Sequence, residues 1–256
     1  MKKVTDRKEG SCFYLHSSLK KYSRYDTMIW IKSLRVKAKN ILLKCSNSRG
    51  LYSGEAEYMT VSYSAGLTSK LFWLQESRKT AGYILAGYSK TDIRKIAWEE
   101  NIYQVKAEYR AYEVLNGTYR RMSALPEAVL RAFTTCDVET AKILNLIAIL
   151  MDSRLFFEFL HEVYAEKLRL GEKEITDRDL NVFFSDKAMQ SGVVAGWTEA
   201  AVRKLKQCLT KMMYEAGLLE NSAKPRSIRP VHIDYRTEEL LNTNGLSEYL
   251  KVVKGV

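Results

Sequence analysis

The chain has 256 residues, 46% of them hydrophobic and 28% charged, with only 3 prolines and 13 glycines. That composition excludes a disordered or fibrous protein and favours long helices over sheet. The net charge of +11 points to a polyanionic partner, but it is unevenly placed. Residues 1 to 58 hold 13 Lys/Arg against 5 Asp/Glu, a net of +8, which leaves only +3 for the rest. Nucleic-acid affinity of the main body must therefore come from a local patch. Cys12, Cys45, Cys136 and Cys208 form no CxxC pair, so zinc-ribbon and thioredoxin readings fail on spacing, and the usage fits a reducing cytoplasm. No apolar segment follows the basic start. Ile143 to Met151 is about half the length of a bilayer span, so no membrane partner is expected.

Three regions are expected: a basic extension over 1–58, a helical domain with a helix-turn-helix-like unit over 59–125, and a helical domain with a winged-helix-like module over 126–256. The extension lacks the leucine periodicity of the later chain. Met28 to Leu43 is its one candidate amphipathic helix. Met59 is a candidate initiator, where composition changes abruptly. A chain starting at Met59 is therefore expected to fold as well as the full one. Comparing the two thermal midpoints checks this, and a large loss on truncation would show that the extension packs on the core.

From Met59 the pattern is helical. Leu71 to Leu85 is followed by Gly87, and Ser89 caps Asp92 to Glu99. A longer helix starts near Tyr103 and runs to Met122, with a possible break at Asn116-Gly117. Its expected inward stripe is Val105, Tyr109, Tyr112, Leu115 and Tyr119. Its expected outward stripe is Lys106, Arg110, Glu113 and Arg121. Short helix, turn and longer helix satisfy a helix-turn-helix template, with Lys106 and Arg110 as candidate DNA contacts. Pro126 opens the next helix, and Asp137 caps Val138 to Met151. Ser153 to Lys167 continues with Phe156, Phe159 and Leu160 in the hub of a bundle.

Ile175 to Lys187 is the partner of a second template, and Ser191 to Gly196 makes its turn. Thr198 caps the following helix. Trp197 and Val202 are spaced as a hydrophobic staple, and Gly217 closes the helix in a Schellman motif. Val202, Leu205, Leu209, Met212, Met213 and Ala216 form its apolar side. Arg203, Lys204, Gln207, Thr210, Lys211 and Tyr214 form the other side, with side chains suited to phosphates and base edges. Leu218-Leu219 and Ile228 to Ile233 suggest two strands around a basic turn, with Arg226 and Arg229 as further phosphate contacts. Thr237 to Leu241 and Leu246 to Val253 are short helical pieces. The fold expected is mainly α: a helical bundle with helix-turn-helix-like modules and a small C-terminal β-hairpin wing.

Catalytic signatures are not found. There is no GxxxxGK[ST] and no GxGxxG, and SAGLTSK lacks phosphate-loop spacing. His161-Glu162 has no second histidine one turn on. Asp177 and Asp179 have the spacing of a capping box behind Thr176 rather than of a metal site. No enzyme, cofactor or metal is expected.

Several segments, in order, resemble one family. They are Tyr63-Ser64-Ala65-Gly66-Leu67-Thr68, Glu99-Glu100-Asn101, Thr176-Asp177-Arg178-Asp179-Leu180-Asn181 and Ala195-Gly196-Trp197. Together, from Met59 to about Leu219, they resemble the BrxA family, the small helical component of BREX (bacteriophage exclusion) systems. That resemblance implies a helical, non-enzymatic accessory protein similar in fold to Nus-type antitermination factors. It also implies a DNA-binding role beside a separate methyltransferase. The implied partners are double-stranded DNA and other BREX components. The alternative is a scaffold that docks an acidic protein, or an RNA-binding subunit. No dimer symmetry is evident, and a monomer is expected.

Overall fold

The computed structural model describes residues 61–256. The expectations for the basic extension, for the helix Met28 to Leu43 and for Met59 as the start lie outside them. After a 3-10 turn, Ala65–Ser69, come α1 (Leu74–Leu85), α2 (Lys90–Glu99), α3 (Glu108–Ala124), α4 (Glu127–Thr135) and α5 (Val138–Asp152). α6 (Arg154–Phe159) runs through a π-helical turn, Leu160–Tyr164, into α7 (Ala165–Arg169). The remainder is α8 (Asp177–Gln190), α9 (Gly192–Ala195), α10 (Glu199–Glu215), α11 (Tyr235–Thr243) and α12 (Ser247–Lys254).

Local chemistry sets most boundaries. Ser89 and Asp92 make a reciprocal capping box at the start of α2. The Asp137 carboxylate accepts from the Glu139 and Thr140 amides and opens α5. Gly87 and Gly171 take the left-handed backbone that follows α1 and α7, at φ +86° and +71°. α5 is the hub: every residue from Ile143 to Leu150 is buried, and α1, α3 and α4 all pack on it. α11 packs on α4 and α12 on α5, so the C-terminal pieces fold back, burying Leu241 and Val253 completely. A second cluster, built on Trp73, Ile93, Tyr103, Val114 and Leu115, joins α2 and α3.

Three expectations are corrected. The first is the C-terminal β-hairpin wing: among the described residues there is no strand, only isolated bridges at Leu219–Ile228 and Glu174–Ser227. Residues 226–229 bond on both sides, Arg229 N–H to Leu218 O and Ile175 N–H to Arg226 O, but for a residue or two each. Pro225 and Pro230 flank this segment, and each lacks the N–H that a longer ladder needs.

The second is the phase and start of α3. Residues 101–107 form a loop with Asn101 and Gln104 at positive φ, so Lys106 precedes the helix. The buried face is Ala111, Val114, Leu115, Gly117, Thr118, Arg121 and Met122. Tyr109, expected inside, is 75% exposed, and Arg121, expected outside, is fully buried. α1 approaches closely over small residues, where the Thr80 hydroxyl bonds both Tyr103 Oη (2.7 Å) and Thr118 Oγ1 (2.9 Å). Close approach selects small side chains at the crossing, which a count of aromatic positions misreads. Asn116-Gly117 does not break the helix. Trp73 packs on Gly117, where a Cβ would lie 2.6 Å from the indole.

The third concerns Thr210. It is 4% exposed and returns its hydroxyl to the Lys206 and Gln207 carbonyls, so it does not belong to the exposed face of α10.

Candidate functional site

α8, α9 and α10 are positioned by their caps. Thr176 and Asp179 form the capping box of α8, and Thr198 accepts from the Ala201 amide at the start of α10. At the far end, Leu218 N–H bonds to Met213 O and Gly217 N–H to Tyr214 O, both at 2.9 Å. This is the 6→1 and 5→2 pair of a Schellman motif, with Gly217 at φ +84°. Leu205, Cys208, Leu209, Met212 and Met213 are buried, which fixes the helix's rotation. Arg203, Lys204, Gln207, Lys211 and Tyr214 consequently face outward. The 3-10 turn Ala65–Ser69 packs against α10.

Asp179 is a structural carboxylate. Burial works to raise its pKa. The Thr176 amide and hydroxyl outweigh that, with Lys167 3.1 Å away, and hold it below the usual range. With a lowered folded pKa, its contribution is present at neutral pH and lost as pH falls through that value. Asp179→Ala should cost about 1 kcal/mol at pH 7 and less in acid, which denaturation at two pH values checks.

A cleft of about 770 Å³ runs between the start of α8, the exposed side of α10 and the loop at Ser222 to Arg226. Arg203, Lys206, Lys211 and Arg226 line it against the carboxylates of Asp177 and Glu199. Asp177 is already matched: Arg226 Nη1 donates to it at 2.8 Å, and Lys224 pairs with it as well. Those two cations hold its carboxyl below the usual range. The cleft is thus left with an excess of positive charge, mostly on α10.

The sequence-predicted residues divide accordingly. Arg203, Lys204 and Gln207 are exposed and come together on the first half of α10. Lys211 lies 4.0 Å from Glu215, too far for a strong pair. Arg226 is at the cleft but only 13% exposed, bound to Asp177 and to the Ile175 carbonyl, so it braces the loop. Arg229 is exposed. Lys106 and Arg110 are not in the cleft, and Arg110 pairs with Glu113. Lys206 was missed. Its ammonium donates to Asn181 Oδ1 at 2.7 Å and lies over the Phe184 ring, tying α10 to α8. Its place on the row with Arg203 and Thr210 was readable; its partner on α8 was not.

The BrxA family model matches residues 61–245. The chain belongs to the BrxA family. It is 32% identical over 193 residues to the BREX protein BrxA of Bacillus cereus (strain H3081.97), covering 75% of this chain and 96% of that one. The BREX protein BrxA of Escherichia coli O9:H4 (strain HS) is 21% identical over 186 residues, covering 71% of this chain and 84% of that one. A crystal structure of an uncharacterized protein from Magnetospirillum magneticum has the same fold. Its TM-score is 0.67 at 18% identity, over 76% of this chain and 99% of that one. No helix among the described residues is long and apolar enough to cross a membrane.

Proposed function

We propose that this BrxA-family chain is a non-enzymatic accessory protein of a BREX-type bacteriophage defence system that contacts double-stranded DNA through α10. Membership of the family supports the defence role, because its relatives are BREX proteins by name. The observation that carries the DNA reading is the outward row Arg203, Lys204 and Gln207 on a helix whose rotation is fixed by a buried apolar side. α8, a turn over residues 191–198 that contains α9, and α10 have the order of a helix-turn-helix. The connection is longer than the usual turn of about three to four residues. In that motif the second long helix enters the major groove. Arg203 and Gln207 are assigned to base edges, and Lys204, Lys211 and Arg229 to phosphates. Asp177 and Asp179 are engaged in an ion pair and a cap, and no nuclease activity is assigned to them.

Binding is expected to be modest, largely independent of sequence and steeply salt-dependent, because one reading helix without a dimer mate reaches few bases. The test is a duplex titration at several salt concentrations with a chain starting at Met59, which removes the basic extension. A flat dependence on salt, or no binding, sinks the reading. A protein-docking reading is favoured by one observation: Val182 and Met189 are exposed on α8, seven residues and so two turns apart on one side of it, and Val193 is exposed on the following α9.

A further inference from the structure

A second cleft, of about 420 Å³, lies along α3; no residue of α10 lines it, and the DNA reading does not use it. Its wall is one stripe of α3, Tyr109, Asn116 and Arg120, faced by Ser69 and Lys70. Two cations of the cleft's lining, Lys70 and Arg120, meet on one carboxylate, and a third, Arg121, lies outside the lining. Arg120 pairs with Asp152, Lys70 Nζ stands 3.4 Å from the same group, and Arg121 feels the same charge. Arg121 is fully buried and gives one hydrogen bond, from Nη1 to the Leu71 carbonyl at 2.8 Å. Its Nε and Nη2 have no hydrogen-bond partner among the described residues, and its guanidinium lies over the Trp73 ring, 5.7 Å from the centroid. Burial lowers Lys70 and pushes Arg121 down to about 10. Glu113, which also lines the cleft, is engaged by Arg110. Buried cations need compensating anions; Arg121 is the fully buried one here, and it shares the Asp152 charge with the half-buried Lys70 and the exposed Arg120.

At the other end of the stripe, the Tyr109 ring is 75% exposed. The Asn116 side chain, also exposed, offers both a donor and an acceptor. A cationic end, an amide and an uncovered aromatic ring in a cleft of small-molecule size match a ligand with a phosphate and a flat polar base. We propose that this cleft binds a nucleoside phosphate, with Lys70 and Arg120 on the phosphoryl group and Tyr109 stacked on the base. The site does not depend on α10 contacting DNA.

The test is calorimetric titration of the full chain with adenosine 5′-monophosphate, inorganic phosphate and adenosine. The monophosphate is expected to saturate one site per chain, more tightly than either fragment. Lys70→Gln with Arg120→Gln should weaken monophosphate and inorganic phosphate tenfold or more. Tyr109→Ala, which removes an exposed ring and leaves the fold untouched, should weaken the monophosphate several-fold and inorganic phosphate not at all. Lys204→Glu with Lys211→Glu should change neither. Displacement by a short oligonucleotide with a 5′-phosphate, and not by its 5′-hydroxyl twin, assigns the site to strand ends; displacement by neither assigns it to free nucleotides. The proposal is overturned by absent saturation, by a monophosphate no tighter than inorganic phosphate, by indifference to the Lys70 and Arg120 changes or to Tyr109→Ala, or by equal displacement by both oligonucleotides.

Discussion

Leu160→Ala is expected to lower stability by about 2–5 kcal/mol. Leu160 is fully buried and begins the π-helical turn between α6 and α7. That turn packs against α12 as well as its own flanking helices. A cavity there has little freedom to collapse, because Phe156, Phe159 and Tyr164 around it are also fully buried. For a protein of this size, each kcal/mol corresponds to roughly 2–4 °C in the thermal midpoint. A control separates burial from mere proximity. The Tyr164 hydroxyl is buried without a hydrogen-bond partner, and burial raises its pKa. Removing an unsatisfied polar atom while keeping the ring loses nothing, so Tyr164→Phe should be neutral or stabilising. A midpoint that barely moves for Leu160→Ala, or falls steeply for Tyr164→Phe, would mean that the hub is packed differently.

What was legible in the sequence was what local chemistry decides. The Ser89 and Asp137 caps, the Thr176–Asp179 capping box and the glycine stop at Gly217 each depend on residues within five positions. That Asp92 closes a capping box with Ser89 came from the structure. The α10 stripe was legible too, because six apolar residues over four turns fix a helix's inner side. α3 was not: its inner face is set by how closely α1 approaches, and Arg121 was read as a surface charge for want of any sign of that neighbour. The tip arginine was misjudged for a similar reason. Arg226 looks like a free cation in sequence, but its carboxylate partner Asp177 lies 49 residues away. The wing failed because segment 226–229 bonds to two neighbours at once, and a reading of hairpins from adjacent text offers it only one. In these three misses the deciding contact was long-range; the Thr210 miss was local, its hydroxyl bonding back to the Lys206 and Gln207 carbonyls.

Charge reversal at Lys204 and Lys211 together is expected to abolish DNA binding by a chain starting at Met59, at salt where the parent binds. The expectation rests on where the positive charge is. Outside residues 1–58 the net charge is only +3, and of the cleft's cations Arg226 is committed to Asp177 and Lys206 to Asn181. Arg203, Lys204 and Lys211 must therefore supply most of the attraction. Reversing two of them replaces attraction with repulsion along the same face, and each lost phosphate contact should lower the slope of log affinity against log salt by about one unit. Lys204 and Lys211 are exposed, and Lys211 has only Glu215 at 4.0 Å, so the thermal midpoint should hardly change. Arg226→Gln should behave differently. It frees Asp177 from one of its two partners and loosens the loop, lowering stability slightly while leaving most of the salt slope intact. If the double variant binds like its parent, the exposed face of α10 is merely solvated or serves a protein partner. The exposed side chains of Val182, Met189 and Val193 then become the surface to mutate next, with binding to another BREX component as the readout.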